Sequence, residues 1–294
     1  DLNKIKFKLD VKNLSLFLET KKTKVSYREA TIPAENIKVY INFVSLLKSS
    51  PKITKINFFL EEIEINQLKK ISTTLKPSNF TSLINNKFNQ GNLQIELETY
   101  FNDNNSLENF IARGTVQNFK SELADGLILD KTNFSFFADK SDILIKNILG
   151  KIGPIKISDG DLKIDLSDGL TLKSNFKTSL ELNEKNFFKN KKILKKIKFA
   201  EKIEKFKGSF NNNFYVKFDE TYKVLDYKYN VSGNIQNASI TLTKIQNINF
   251  LEEKLKQIFL QETKIELAFG SKTINSKMIG KYSFDGLNFL KFNI

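Results

Sequence analysis

Cysteine, histidine and tryptophan occur nowhere in this chain. Without thiol or imidazole there is no cysteine nucleophile, no disulfide, no histidine general base and almost no zinc, copper or haem site. No carboxylate spacing resembles an EF-hand loop, so neither a metal nor any other cofactor is expected. Proline (4) and glycine (12) are scarce, which leaves the turns to Asn and Asp. Arginine occurs only at Arg28 and Arg113, although the net charge is +14. No run of 18 apolar residues exists, so nothing here has the length to cross a bilayer as a helix.

What is present is alternation. Lys4-Ile5-Lys6-Phe7-Lys8-Leu9-Asp10-Val11 places hydrocarbon at every odd position and charge at every even one. The pattern recurs at 36–43, 92–97, 161–166, 170–176, 213–218 and 264–269. Successive side chains of a strand point to opposite faces, so this period predicts sheets with one wet and one apolar side. The expected fold is mainly β: a long, curled antiparallel sheet, groove-like, with a few short helices. About sixteen strands at ~4.8 Å spacing would make a sheet ~75 Å long. Sheets beyond about ten strands usually split, curl or close. The alternation is already running in the first residues, which predicts a piece of a longer protein.

Four segments follow from the punctuation: an N-terminal β segment with short helices over 1–90, a β meander over 91–183, a basic amphipathic helix over 184–208, and a C-terminal β segment with one helix over 209–294. Ile65, Leu68, Ile71 and Leu75 fall at helical spacing, and Phe80, Ile84 and Phe88 follow after Pro77, with Ser78 as N-cap. Residues 185–207 hold ten lysines against two glutamates, a local +8, around an apolar stripe of Leu194, Ile197, Ala200 and Ile203, and Gly208 ends that helix. A second helix is expected over 250–260. Ser158-Asp159-Gly160 and Ser167-Asp168-Gly169 read as turns between consecutive strands. Arg113-Gly114-Thr115-Val116-Gln117-Asn118-Phe119 matches Ser232-Gly233-Asn234-Ile235-Gln236-Asn237-Ala238, a short internal repeat.

Little here suits catalysis. Asp159 with Asp161, Asp165 with Asp168, and Glu61, Glu62 and Glu64 are close in sequence, but they fall in turns or on the wet face. An acid/base pair needs burial that drives its two pKa values apart. No Ser-x-x-Lys, Gly-x-Ser-x-Gly or phosphate-cradling glycine loop occurs. The chain is read as a non-enzyme. The basic helix has three readings: a cap over the sheet, contact of Lys191, Lys192, Lys195 and Lys196 with an anionic membrane surface, or nucleic acid. Lysine without arginine reads bases poorly, and nucleic acid is set aside as a partner.

The apolar side carries the functional question. Its lining is expected to be Ile5, Phe7, Leu9, Val11, Ile37, Val39, Ile41, Phe43, Leu93, Ile95, Leu97, Leu162, Ile164, Leu166, Phe214, Val216, Phe218, Ile265, Leu267 and Phe269. A closed dry core, as in a β-rich envelope scaffold or adhesion module, and an open groove for lipid acyl chains both fit this pattern.

The stretch Ile37-Lys38-Val39-Tyr40-Ile41-Asn42-Phe43-Val44-Ser45-Leu46-Leu47, continuing through Ile53-Thr54-Lys55-Ile56-Asn57-Phe58-Phe59-Leu60-Glu61-Glu62-Ile63-Glu64-Ile65, resembles the early strand and Ser-Leu-Leu passage of the AsmA-like proteins. Residues 112–182, with Gly-x-Val-Gln-Asn, Phe134-Ser135-Phe136 and Ile155-Lys156-Ile157-Ser158-Asp159-Gly160-Asp161-Leu162, are similar to the repetitive β region of their larger members. The resemblance covers about two thirds of the chain and no invariant polar motif anchors it. It implies a periplasmic segment of an envelope protein of Gram-negative bacteria, tethered to the inner membrane by a part absent from this chain. It also implies phospholipid as the partner, conducted along an apolar groove between inner and outer membranes. The N-terminal membrane helix of that family has no counterpart here.

Overall fold

The computed structural model describes residues 5–10, 15–27, 30–73, 79–124, 127–167, 169–183, 203–221, 223–246 and 255–294. In chain order the elements are β1 (Lys6–Asp10), β2 (Ser15–Tyr27), β3 (Ala30–Ile41), α1 (Phe43–Leu47), β4 (Ile53–Leu60), β5 (Ile63–Glu64), α2 (Ile65–Thr73), α3 (Asn79–Lys87), β6 (Phe88–Phe101) and β7 (Leu107–Ala124). There follow β8 (Leu127–Ala138), β9 (Asp142–Ile152), β10 (Ile155–Asp165), β11 (Thr171–Leu182), β12 (Ile203–Phe218), β13 (Val224–Gln246), β14 (Leu255–Gly270), β15 (Ile274–Ser283) and β16 (Leu290–Asn293). As the alternation predicts, the protein is mainly β. Sixteen strands form one antiparallel sheet in sequence order, with β5 off the path beside β6 and no ladder joining first strand to last. Contacts divide the chain into a first unit, Asp1–Glu122 with Lys131–Lys146, and a second, Leu123–Asp130 with Asn147–Ile294.

The scarcity of glycine has a structural counterpart in the turns. Asn102 Oδ1 accepts from the backbone N–H of Asn104 and Ser106, both at 3.0 Å. Asp139, Asp219 and Asp285 close their turns the same way, each onto two following N–H groups. The hydrogen bond from the Ser283 hydroxyl, followed by those N–H bonds, holds the Asp285 carboxyl well below the usual carboxylate range.

Long strands that twist need relief, and bulges supply it. Lys22, Asn118, Lys131, Asn147, Asp159 and Glu262 lie within strands at φ between +46° and +56°. One extra residue in the left-handed region bends a strand and sharpens its twist. Three of these bulges are followed by a threonine that turns fully inward: Thr23, Thr132 and Thr263, at 3%, 0% and 0% exposure.

Bulges also account for two departures from the sequence reading. Ser158-Asp159-Gly160 is not a turn but a bulge inside β10, where the register skips from Ser158 to Asp161. The expected helix over 185–207 lies mostly outside the described residues, but its last five residues, from Ile203 on, are strand β12. Ile203 and Phe206 stand three apart, a helical interval, because a register shift after Ile203 lets both face Ile240 and Ala238 of β13. The expected helix over 250–260 fails likewise: from Leu255 the chain is β14, with Ile258 and Leu260 paired to Ile240 and Ala238. Gly208 is a strand residue, not a helix stop.

In the first unit the helical spacing after Ile65 does form helices. Ile65 (3% exposed) on α2 and Ile84 (3%) on α3 are buried, as are Ile63, Leu93, Val116 and Phe119, all under 9% exposed, and the two helices contact each other and β6. The Phe119 ring stands edge-on between Phe88 (4.9 Å) and Phe134 (5.7 Å). Ser78, the expected N-cap, lies outside the described residues.

The outer face of that unit is a lattice of charge and aromatic rings. Lys8, Phe17, Tyr40, Lys55 and Tyr100 line up across five strands. Lys55 Nζ lies 4.4 Å from the Tyr40 ring centroid, and Arg113 forks onto Glu96 at 2.8 and 2.7 Å. Burial and the hydrogen bond to Glu98 push the Tyr100 hydroxyl up to about 12. Glu19, 4% exposed, is held by Lys8 Nζ at 2.5 Å and by Asn36 Nδ2 at 3.0 Å. The Lys8 hydrogen bond, against the cost of desolvation, keeps its carboxyl below the ordinary 4.5. A depressed folded-state pKa stabilises the fold above the unfolded value, and that contribution disappears as pH falls through the folded value. Glu19→Gln therefore flattens the fall in stability below pH 4.5, read as the change in urea midpoint between about pH 6 and about pH 3.5. An unchanged slope would remove Glu19 from the acid response.

Candidate apolar binding face

Residues paired directly across an antiparallel ladder point to the same side of the sheet, so the registers define the apolar face row by row. In the second unit, Leu182, Phe206, Ala238, Leu260 and Tyr282 form one row. Thr178, Phe210, Gly233, Ile265 and Met278 form a parallel one. Further rows are Phe176, Asn212, Val231, Leu267 and Ser276, then Ser174, Phe214, Tyr229, Phe269 and Ile274. Leu162 and Ile164 of β10 extend these rows opposite Ser174 and Leu172, and Val216 faces Leu172 and Tyr227. The other side carries Lys173, Asn175, Lys177, Ser179 and Glu181 on β11 alone, all exposed. From Leu172 to Leu182 this face runs about 33 Å along the strands, and β10 to β15 make it about 24 Å wide.

Among the described residues of the second unit, the substantial contacts of each strand are with its ladder neighbours, and the face is covered unevenly. Leu182, Ile203, Phe206, Ile235, Ala238 and Ile265 make a buried cluster. Ile155, Ile157, Leu162, Ile164, Leu172, Phe176 and Leu180 are only half-buried. A sandwich core would bury both sets.

The floor is flattened by glycine. Where a side chain would stand on Gly233, its Cβ would come within 2.7 Å of Phe210 Cδ1, and at Gly208 within 2.9 Å of Phe206 Cε1 and 3.0 Å of Phe210 Cζ. The two phenylalanine rings thus lie down over the glycine backbone, stacked at 6.1 Å with 27° between planes. Besides the small hydroxyls of Ser174, Thr178 and Ser276, the floor carries one amide. Asn212, 4% exposed, donates from Nδ2 to Phe176 O and Thr178 Oγ1, both at 3.1 Å, and accepts from Tyr229 Oη at 2.8 Å. Desolvation pushes the Tyr229 hydroxyl upward, which keeps it a neutral donor. The amide is satisfied within the sheet and presents no bare charge.

The first unit repeats the arrangement. Phe7 and Leu9 pair with Leu18 and Leu16, which meet Val39 and Ile41; Ile37 and Val39 pair with Phe58 and Ile56. Leu97, Ile95 and Leu93 follow, opposite Ala112, Gly114 and Val116. The α2–α3 pair contacts β6, where Leu93 is buried, and on the edge strand β1 Phe7 and Leu9 are 72% and 60% exposed.

Most of the lining expected from alternation therefore sits on these two faces. Ile5 precedes β1 and is exposed. Phe43 departs: it opens α1 and is 49% exposed, because the strand ends at Ile41. Leu166 falls beyond β10, 45% exposed. Phe218 ends β12 opposite Val224. Val11, Lys191, Lys192, Lys195 and Lys196 lie outside the described residues. The expected lining omitted Leu16, Leu18, Phe58, Phe206, Phe210 and Ile235, and also Phe176, although the alternation at 170–176 displays it; the seven-residue repeat around Gly233 was the signal that pointed to Ile235.

No family model, curated protein or solved structure matches this chain. The reading of the face rests on its own chemistry. Among the described residues no cluster of carboxylates is poised to hold a metal, and no helix is long and apolar enough to cross a membrane.

Proposed function

We propose that the apolar face of each unit binds phospholipid acyl chains and lets them slide across the strands, as a periplasmic segment of an AsmA-like protein that conducts lipid between inner and outer membranes. The observation that carries this reading is a wide hydrocarbon floor left half-covered. Shielding an acyl chain there is worth about 0.8 kcal/mol per CH₂, with no catalytic residue needed. Headgroups stay in water at the rim. Leucine, isoleucine and phenylalanine with few polar interruptions give no strong stopping point, and the amide of Asn212 on this face already has its partners. Anchorage to the inner membrane would come from the rest of a longer chain.

The test is native mass spectrometry of the protein purified from cells, followed by organic extraction. Several phospholipids per chain are expected. A folded chain of lipid-free mass would mean that the apolar faces cover themselves, and the protein would then be a non-catalytic envelope scaffold or adhesion module.

A further inference from the structure

The loop between β3 and β4 ties its polar groups to one another: Asn42 Oδ1 accepts from Ser45 N at 3.0 Å, and the half-buried Ser45 Oγ donates to Asn42 O at 2.7 Å and accepts from Lys52 N at 2.9 Å. Asn42 N donates to Lys52 O at 2.9 Å and Ser50 N to Ser45 O at 3.0 Å, closing the base of the loop. Its hydrocarbon faces out. Phe43, Val44, Leu46 and Leu47 of α1 are 49%, 57%, 39% and 71% exposed, and no residue of that helix is buried. A loop facing water spends Asn and Ser on solvent and tucks Phe and Leu beneath. Here the hydrogen bonds hold four large apolar side chains outward in a fixed shape, and a contiguous apolar projection of this kind marks a contact surface.

The charge around it identifies the contact. From Asn36 to Leu60 there is no Asp or Glu, while Lys48 and Lys52 stand at the foot of the projection. Lys52 has Asp103 beside it at 3.3 Å. A helix of five residues is about 7.5 Å long, within the ~5–10 Å to which interfacial segments enter the headgroup–acyl boundary. Lysines at its foot would then stand at the level of the phosphates, where they snorkel.

We propose that α1 is a membrane-docking tip that inserts Phe43, Val44, Leu46 and Leu47 into an anionic bilayer. Ile41 and Ile53, paired immediately behind it, belong to the apolar face of the first unit, so docking brings the end of that face to the membrane surface. The tip does not depend on the face binding lipid.

The test is co-sedimentation of the 294-residue protein with phosphatidylcholine vesicles, with and without phosphatidylglycerol. Binding is expected with phosphatidylglycerol. Phe43→Ser with Leu47→Ser, which removes no buried contact, should weaken it at least tenfold while circular dichroism and co-purified lipid stay unchanged. Lys48→Glu with Lys52→Glu should weaken binding to the anionic vesicles most. Failure of the unaltered protein to sediment with phosphatidylglycerol vesicles overturns the proposal, as does undiminished binding of the Ser variant. Loss of sedimentation in Ile164→Asp with retention in the Ser variant overturns it too, and assigns membrane contact to the sheet face.

Discussion

Ile164→Asp, purified from cells, carries about a hundredfold less phospholipid than the unaltered protein, with the same β-sheet circular dichroism. Ile164 is half-buried on the apolar face, paired with Leu172. Its neighbourhood leaves a carboxylate room to reach water in the free protein, so the fold survives. An acyl chain laid over it would strip that water. Covering an unpaired charge costs several kcal/mol, and about 3 kcal/mol is already a hundredfold in affinity. Ile41→Asp on β3 and Phe7→Asp on β1 should act alike. Asp159→Asn is the contrasting change: that carboxylate meets Lys177 at 2.6 Å on the wet side, with both side chains more than half exposed, and lipid load should not move. Equal lipid in all four proteins would end the groove reading.

The largest loss of stability is expected from Gly114→Ala and Gly233→Ala. A Cβ on Gly114 would stand 2.0 Å from Gln94 O, and on Gly233 2.2 Å from Ser209 O. Both obstacles are backbone of the neighbouring strand, which cannot rotate away as a side chain does. The ladder must part or the strand must shift, and overpacking of this severity costs roughly 3 kcal/mol. Gly270→Ala is the control: its Cβ would meet Thr273 Oγ1 at 3.4 Å, an ordinary contact, so the change should stay within about 0.5 kcal/mol. Urea unfolding reads all three. Equal midpoints for the three variants would show that the strands have slack at these crossings.

Those two glycines also explain the seven-residue repeat. In each copy a glycine lets the next strand approach, an aliphatic two residues on is buried (Val116 at 6%, Ile235 at 5%), and the fifth residue after the glycine is buried again (Phe119 at 7%, Ala238 at 4%). Between them lies the irregularity: Asn118 takes φ +51°, and against β12 the register skips Gln236, with Asn237 opposite Lys207 and Ile235 opposite Gly208. The repeat is thus the sequence of one bulged strand used twice.

By itself the sequence determined the class of the fold and the identity of its apolar side. The reason is local: a strand sorts its side chains by parity, and five or six alternating residues suffice to display it. Ile37, Leu97, Ile164, Val216 and Ile265 were legible for that reason. It also determined the helices after Ile65, where no competing two-residue period exists. Only the tertiary structure decided where alternation breaks without the strand ending. A bulge such as that after Ile203 changes parity by one residue, and locally this is indistinguishable from a helical interval; the ladder partners Ile240 and Ala238, more than thirty residues away, settle it. Tertiary structure also decided that Phe43 leaves the face, because the bonds that turn α1 outward come from Lys52 and Ser50, across the loop. And it decided that, among the described residues of the second unit, part of the floor stays only half-buried, since alternation records which side is apolar and is silent on what covers it.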